Sequence, residues 1–211
     1  MKYKSLIFDF DGTIADTLSE AAEIYNIIAE ENGYKSITAD DIPKLRHYDI
    51  KKLTKELGIS KLWLPFVLAK GRKILKQRID QLEPIDGMID TLKQLRSESH
   101  HFGILTSNSV ENVEYFLDRY GIRDLFTFIS STTKLSGKAK HINSIARTFS
   151  MNKSDMLYIG DEIRDVKASL KAGISVAAVT WGFNSKESLE VENPTFIVDS
   201  PDGLTGVVAE K

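Results

Sequence analysis

Two carboxylates stand two residues apart in Asp9-Phe10-Asp11-Gly12-Thr13, at the end of the apolar run that begins at Leu6. Alternate residues of an extended chain point to the same side, so Asp9 and Asp11 can converge while Phe10 is buried opposite. A carboxylate at such a place can attack phosphorus and form an acyl phosphate that water then hydrolyses. A second carboxyl beside it can protonate the leaving alkoxide and afterwards act as the general base. Phosphoryl transfer asks for both roles and for positive charge at phosphorus. Gly12 permits the tight exit turn. Two acids can equally well cap a strand–helix junction, so other residues have to decide between chemistry and capping.

Three further groups bear on that decision. Asp161 follows the buried-type run Met156-Leu157-Tyr158-Ile159-Gly160, and Asp165 lies four residues on. The i, i+4 spacing predicts both carboxylates on one face at a helix N-terminus. Acids gathered at two strand ends form a set of oxygen donors of the kind Mg²⁺ prefers, whereas favourable contact with a helix dipole accounts for only one of them. Glu162 and Arg164, between the two, read as surface or helix pairs. Leu105-Thr106-Ser107-Asn108-Ser109 brings hydroxyls and backbone N–H groups to the start of a helix, which suits either a phosphate or simple N-capping. Gly137-Lys138-Ala139-Lys140 supplies a cation that can offset phosphate charge and pair with a nucleophile. Whether Lys138, Lys134 or Lys140 is that cation is left open by the residues alone.

Regular elements must hold these residues in place. Short apolar runs at Leu6–Phe10, Phe102–Thr106, Leu125–Ser130, Met156–Gly160, Val176–Thr180 and Phe196–Val198 read as strands. Helical spacing fills roughly 85–99, 109–120, 138–149 and 162–172, with Gly121 and Gly173 at two of the expected C-termini. The alternation predicts an α/β fold, a doubly wound and mostly parallel sheet with helices on both faces. Ligands in such sheets bind beyond the C-terminal ends of the strands. Residues 17–82 break the rhythm and read as helices at about 17–33, 39–57 and 61–81. The expected division is an α/β core of 1–16 and 83–211 carrying an inserted helical cap at 17–82.

Composition limits the alternatives. The 211 residues carry a net charge of -2, which gives no reason to expect nucleic acid or a membrane surface as partner. Cysteine is absent, so thiolate nucleophiles and Cys-ligated zinc are excluded. No leader-like or membrane-spanning run is visible, and the expectation is a soluble, unprocessed, cytoplasmic protein. From Lys44 to Arg78 eleven Lys or Arg face only Asp49 and Glu56, a net of +9, which leaves -11 for the rest. A basic cap over an acidic core would draw in an anionic substrate, although most such side chains are ordinarily solvated. Arg46, His47 and Tyr48 form a polar cluster in the cap that could reach a leaving group, and equally could be ordinary surface.

Taken together, the four groups resemble the haloacid dehalogenase superfamily in its phosphatase branch, along essentially the whole chain. Asp9-Phe10-Asp11-Gly12-Thr13 is similar to the first motif of that family, Thr106-Ser107-Asn108 to the second, Lys138 to the third and Gly160-Asp161-Glu162-Ile163-Arg164-Asp165 to the fourth. The third motif departs from the pattern, with Lys-Ala where Lys-Pro is usual. Val179-Thr180-Trp181-Gly182-Phe183 and Ser200-Pro201-Asp202 resemble phosphoglycolate-phosphatase-like members with a small helical cap.

The resemblance implies a set of roles. Asp9 would be nucleophile and metal ligand, and Asp11 the acid/base that also gives its carbonyl to Mg²⁺. Asp161 would be a metal ligand, with Asp165 ligating through water or orienting the site. Thr106 with the N–H groups of Ser107 and Asn108 would hold the phosphoryl oxygens, and Lys138 would neutralise charge. The implied activity is Mg²⁺-dependent hydrolysis of a small phosphorylated metabolite, such as phosphoglycolate or a sugar phosphate, through an aspartyl-phosphate. A mutase of the β-phosphoglucomutase type shares the same machinery, and a non-catalytic binding protein shares the fold.

Overall fold

The computed structural model describes residues 2–132 and 137–209. In chain order the elements are β1 (Ser5–Phe8), β2 (Ala15–Asp16), α1 (Leu18–Asn32), α2 (Ile42–Leu45), α3 (Ile50–Glu56), α4 (Leu64–Arg78), β3 (Glu83–Pro84), α5 (Met88–Glu98), β4 (His101–Thr106) and α6 (Val110–Arg119). They continue with β5 (Phe128–Ser131), α7 (Lys138–Thr148), β6 (Met156–Gly160), α8 (Ile163–Ala172), β7 (Ser175–Val179), α9 (Lys186–Glu190), β8 (Phe196–Val198) and α10 (Gly203–Ala209).

Six strands form one parallel sheet in the order β5-β4-β1-β6-β7-β8. Successive residues of a strand face opposite sides, and the core divides accordingly. Leu6 and Phe8 of β1, Phe102 and Ile104 of β4, and Leu157 and Ile159 of β6 lie in one apolar layer with helices α5, α6 and α10. Ile7, Leu105, Met156 and Tyr158 lie in the other layer, against α7, α8 and α9. Runs that are apolar on both faces are what a sheet covered on both sides requires. The central strand β1 pairs with β4 on one side and β6 on the other, so the chain reverses direction across the sheet there. That switch point opens a crevice beyond three strand ends at once.

The helices carry their own local causes. In α6, Ser109 caps the first turn by accepting from Asn112 N–H at 3.2 Å, and Val113, Phe116 and Leu117 fall on the buried stripe. Helix α8 ends at Gly173, whose φ of 76° is the left-handed conformation that glycine adopts without penalty.

Several sequence expectations need correction. The first strand ends at Phe8 instead of Phe10, because the N–H groups of Ile14 and Ala15 fold back onto the Phe10 carbonyl. Asp9 therefore sits just past the strand, its N–H still bonded to the Ile159 carbonyl at 2.8 Å, and Asp11 at the turn. The strand expected from Leu125 begins at Phe128, since 123–125 forms a short 3₁₀ turn. The single helix expected over 39–57 is broken into a 3₁₀ turn, α2 and α3, with Arg46 to Asp49 as the connection. Asp49 starts α3 by accepting from Lys52 N–H at 2.8 Å, an N-cap that cannot also be mid-helix. The pair β2–β3 was not anticipated. It is antiparallel, joins Ala15 to Pro84 and Asp16 to Glu83, and ties together the two chain crossings that flank the helical segment.

Phe10 links this framework to the two acids. Its ring is fully buried and meets Phe116 of α6 edge-on at 5.1 Å. Phe116→Ala should remove that support and lower stability by about 3–5 kcal/mol, the usual cost of truncating a buried Phe. Urea denaturation of the full chain measures the loss.

Candidate active site at the sheet crevice

The ends of β1, β4 and β6 deliver Asp9, Thr106 and Asp161 to the crevice, and the first turn of α7 delivers Lys138. All four are buried. The Lys138 ammonium donates to Asp9 Oδ2 at 2.7 Å and to Asp165 Oδ1 at 2.5 Å, and it lies over the Tyr158 ring. Asp9 Oδ1 accepts the Phe10 N–H at 2.8 Å. Burial raises the energy of the Asp9 carboxylate, but the charges of Lys138 and Arg164 and these hydrogen bonds outweigh it, so its pKa falls below the ordinary value. Lys138 is raised in turn, because Asp165 and Asp9 overcome the effect of its own burial. Of the alternative lysines, Lys140 points to solvent and Lys134 lies outside the described residues.

Asp11 has the opposite character. Burial and the neighbouring Asp9 charge push its pKa up to about 7, against the Asn108 amide that donates to Asp11 Oδ1 at 3.1 Å. Two carboxyls two residues apart are thus separated, one ionised and one titrating near neutrality. Proton donor and nucleophile are divided by this kind of environmental splitting.

The end of β4 is ordered by its own side chains. Thr106 Oγ1 accepts the Asn108 N–H at 3.0 Å, and Asn108 Oδ1 accepts from Ser109 N–H and from the Asn112 amide. Ser107 Oγ accepts from Arg164 at 3.1 Å.

The acids at β6 are arranged differently from the expected i, i+4 pair. Asp161 precedes α8, and Glu162 and Asp165 close its first turn as a capping box. Asp161 Oδ1 accepts from the Thr13 hydroxyl and Oδ2 from the Phe183 N–H, both at 2.7 Å. Burial, then the charges of Glu162, Asp9 and Asp165, raise its pKa well above the usual value. Gly12 and Gly182 leave the room for it, since a Cβ at either would come within 2.4 Å of Asp161 Oδ2. Among the described residues, carboxylate oxygens of Asp9, Glu162 and Asp165 lie within 4.8 Å of one another. An all-oxygen set, buried and rich in negative charge, fits a hard divalent cation.

Sequence reasoning read Glu162 and Arg164 as surface or helix pairs. They do pair with each other, but within the crevice, where Arg164 also reaches Ser107. Their position between two crevice acids was the available signal. Asn184 gave none, and Phe183 entered only as the last residue of the Val179-Thr180-Trp181-Gly182-Phe183 resemblance. Above the site lies a cavity of about 520 Å³ between the helical segment and the sheet. Asp11, Ser107, Asn108 and Arg164 form its floor, and apolar residues such as Ile24, Leu53 and Leu68 line the helical side. Arg46 and Tyr48 line it as well. Arg46, however, directs its guanidinium to the Thr180 carbonyl at 2.7 Å, and His47 meets Ser185 Oγ at 2.8 Å.

Lys138→Met should leave the Asp9 charge buried without its cation, and Asp165, which burial pushes up to about 7, without its partner, a loss of roughly 3–5 kcal/mol at pH 7. In the wild type the folded pKa of Asp9 lies below its unfolded value, so its contribution persists down to about pH 4 and is lost only below it. Without Lys138, burial pushes Asp9 up, and its protonation above about pH 4 relieves the buried charge. The deficit of the variant should therefore shrink as pH is lowered toward 4, which urea titrations at several pH values would check.

Comparison with known proteins adds independent support. The family model described as haloacid dehalogenase-like hydrolase matches residues 6–179. A phosphoglycolate phosphatase of Synechococcus elongatus is 34% identical over 207 residues, covering 98% of each chain. A pyrophosphatase of Bacillus cereus is 21% identical over 218 residues, covering 100% of this chain and 98% of that protein. Among solved structures, a haloacid dehalogenase-like family hydrolase of Streptococcus pneumoniae aligns with a TM-score of 0.81 at 22% identity, covering 98% of each chain.

Proposed function

The chain belongs to the haloacid dehalogenase-like hydrolases, and on that premise we propose that it is a Mg²⁺-dependent phosphatase acting on a small phosphate monoester through an aspartyl-phosphate at Asp9. The observation that carries this reading is the split pair. Asp9 is held ionised by Lys138 and the Phe10 N–H, while Asp11, two residues away, titrates at about 7. A phosphoglycolate-like ester is the favoured substrate, supported by the name of the 34% identical relative.

In the first half-reaction an Asp9 oxygen attacks phosphorus and the ester P–O bond breaks. The departing alkoxide takes the proton of the Asp11 carboxyl. In the second half, Asp11, now a carboxylate, accepts a proton from water as that water attacks the phosphorus. The acyl phosphate is released as inorganic phosphate and the Asp9 carboxylate is restored. Thr106, Ser107 and Asn108 at the end of β4 hold the phosphoryl oxygens, and Lys138 and Arg164 balance their charge. Mg²⁺ would be held by Asp9 and Asp165, whose carboxylate oxygens cluster with that of Glu162, and, on the family resemblance, by Asp161 and the Asp11 carbonyl, and would supply positive charge against the incoming phosphate. The cavity above these residues offers the ester a largely apolar wall on the helical side.

A panel of phosphorylated metabolites with Mg²⁺, scored by phosphate release, tests the reading. Turnover should appear with phosphoglycolate or a similarly small ester and vanish on chelation. Asp9→Asn should lower it by more than about 10³-fold, because a lost nucleophile costs several decades. Residual turnover above a tenth of wild type would remove Asp9 from that role.

Asp11→Asn should reduce turnover by roughly 10²–10⁴-fold on alkyl phosphates, the scale of general acid–base assistance. On p-nitrophenyl phosphate, whose leaving group needs little protonation, the loss should be much smaller. Equal losses on both would count against the assignment.

A further inference from the structure

The loop after β7 touches both halves of the cavity. Toward the sheet, Trp181 Nε1 donates to the Thr13 carbonyl at 3.2 Å, and the Phe183 and Asn184 N–H groups donate to Asp161. Toward the helical segment, it meets the connection between α2 and α3. Asn184 Nδ2 donates to the Arg46 carbonyl at 2.9 Å and to the Tyr48 carbonyl at 3.1 Å. Ser185 N–H also donates to the Arg46 carbonyl, at 2.9 Å, and the Arg46 guanidinium returns a bond to the Thr180 carbonyl. Ser185 Oγ and His47 Nδ1 complete the seam.

Asn184 is the member that serves both directions. Its Oδ1 accepts the Ile163 N–H at 2.9 Å, which is the first helical N–H of α8. An amide offers an acceptor at one end and two donors at the other. Here the acceptor is spent on the helix that carries Arg164 and Asp165, and the donors on two carbonyls of the cap connection. The side chain is 7% exposed, so these partners are not readily replaced by water.

We propose that Asn184 is a positioning residue that latches the cap connection Arg46–Tyr48 to the start of α8, so that closing the cavity and ordering the crevice acids are one event. The proposal rests on the phosphatase reading above and adds to it the device that sets the closed state. It also reassigns Arg46 and His47, whose polar groups grip the core loop. In this arrangement substrate affinity depends on the fraction of protein in the closed state, because an enzyme that closes less often binds more weakly by that fraction.

Asn184→Asp separates the two functions. The carboxylate keeps an acceptor for the Ile163 N–H but sets a negative oxygen against the Arg46 and Tyr48 carbonyls. Amide hydrogen exchange followed by NMR on the substrate-free protein reads each side directly. The Ser185 N–H, which crosses the seam, should exchange at least about tenfold faster, while the Ile163 N–H stays protected. With the best ester of the panel, KM should rise tenfold or more and kcat fall less than about threefold, because saturating substrate still draws the cap closed. Arg46→Met opens the seam from the cap side without touching α8 and should reproduce both effects, which covers the case of an Asn184 variant that fails to fold. Unchanged Ser185 exchange overturns the latch. Faster exchange with KM within twofold of wild type, or a lowered melting temperature with neither change, overturns the positioning role. If no ester is hydrolysed by wild type, the function reading fails while the exchange measurement still decides the latch.

Discussion

A single ammonium group shared by two carboxylates, in a space closed to bulk water, is the interaction on which the crevice depends. Lys138 holds Asp9 and Asp165 together from opposite sides, and Asp161 and Glu162 stand close by. Removing that many charges from water costs several kcal/mol each, and attraction repays the cost only when the geometry is good and the remaining lone pairs are bonded. The structure meets that condition locally. Phe10 N–H serves Asp9, Thr13 and Phe183 serve Asp161, and Asn108 serves Asp11. The negative charge that remains suits a hard divalent cation held by oxygen donors.

The framework explains why such a costly site can be kept in shape. Its acids come from strand ends and turns backed by the two apolar layers of the sheet, and Phe10 is pinned under α6. A site fixed to packed elements holds its geometry against the repulsion within it. The helical segment meets the core at the β2–β3 pair, at the seam around Asn184 and at surface ion pairs such as Lys76–Glu111. Exposed pairs of that last kind contribute little. Most of the basic residues between Lys44 and Arg78 prove to be of this solvated sort, Lys51, Lys52, Lys55 and Lys61 among them. Among the described residues, no helix is long and apolar enough to cross a membrane.

Much of this was legible from residue order alone. Strand–helix alternation, the acids at the ends of β1 and β6, the polar turn after β4 and the helical interruption all depend on periodicity and turn chemistry. Those are properties of neighbouring residues. Where the reading erred, a competing local interaction won. Asp49 serves as an N-cap and cuts a helix that apolar spacing ran through, and the Phe10 carbonyl collects the turn that ends β1 two residues early.

What the sequence by itself determined, then, is which kinds of group stand at which strand ends, because an apolar run buried on both faces must end somewhere and the residues that follow it face the crevice. Only the tertiary structure decided which of those groups meet. Lys138 and Lys140 are equivalent in composition, yet two helical residues point about 200° apart, and the docking of α7 turns one to Asp9 and the other to solvent. Glu162 and Arg164 read as surface or helix pairs until α8 brings Arg164 to Ser107 in the turn after β4, and Asn184 carries no motif at all. Its partners Arg46 and Tyr48 lie 138 and 136 residues away. No local pattern encodes a contact of that span; it exists because the sheet order places the end of β7 beside the cap connection.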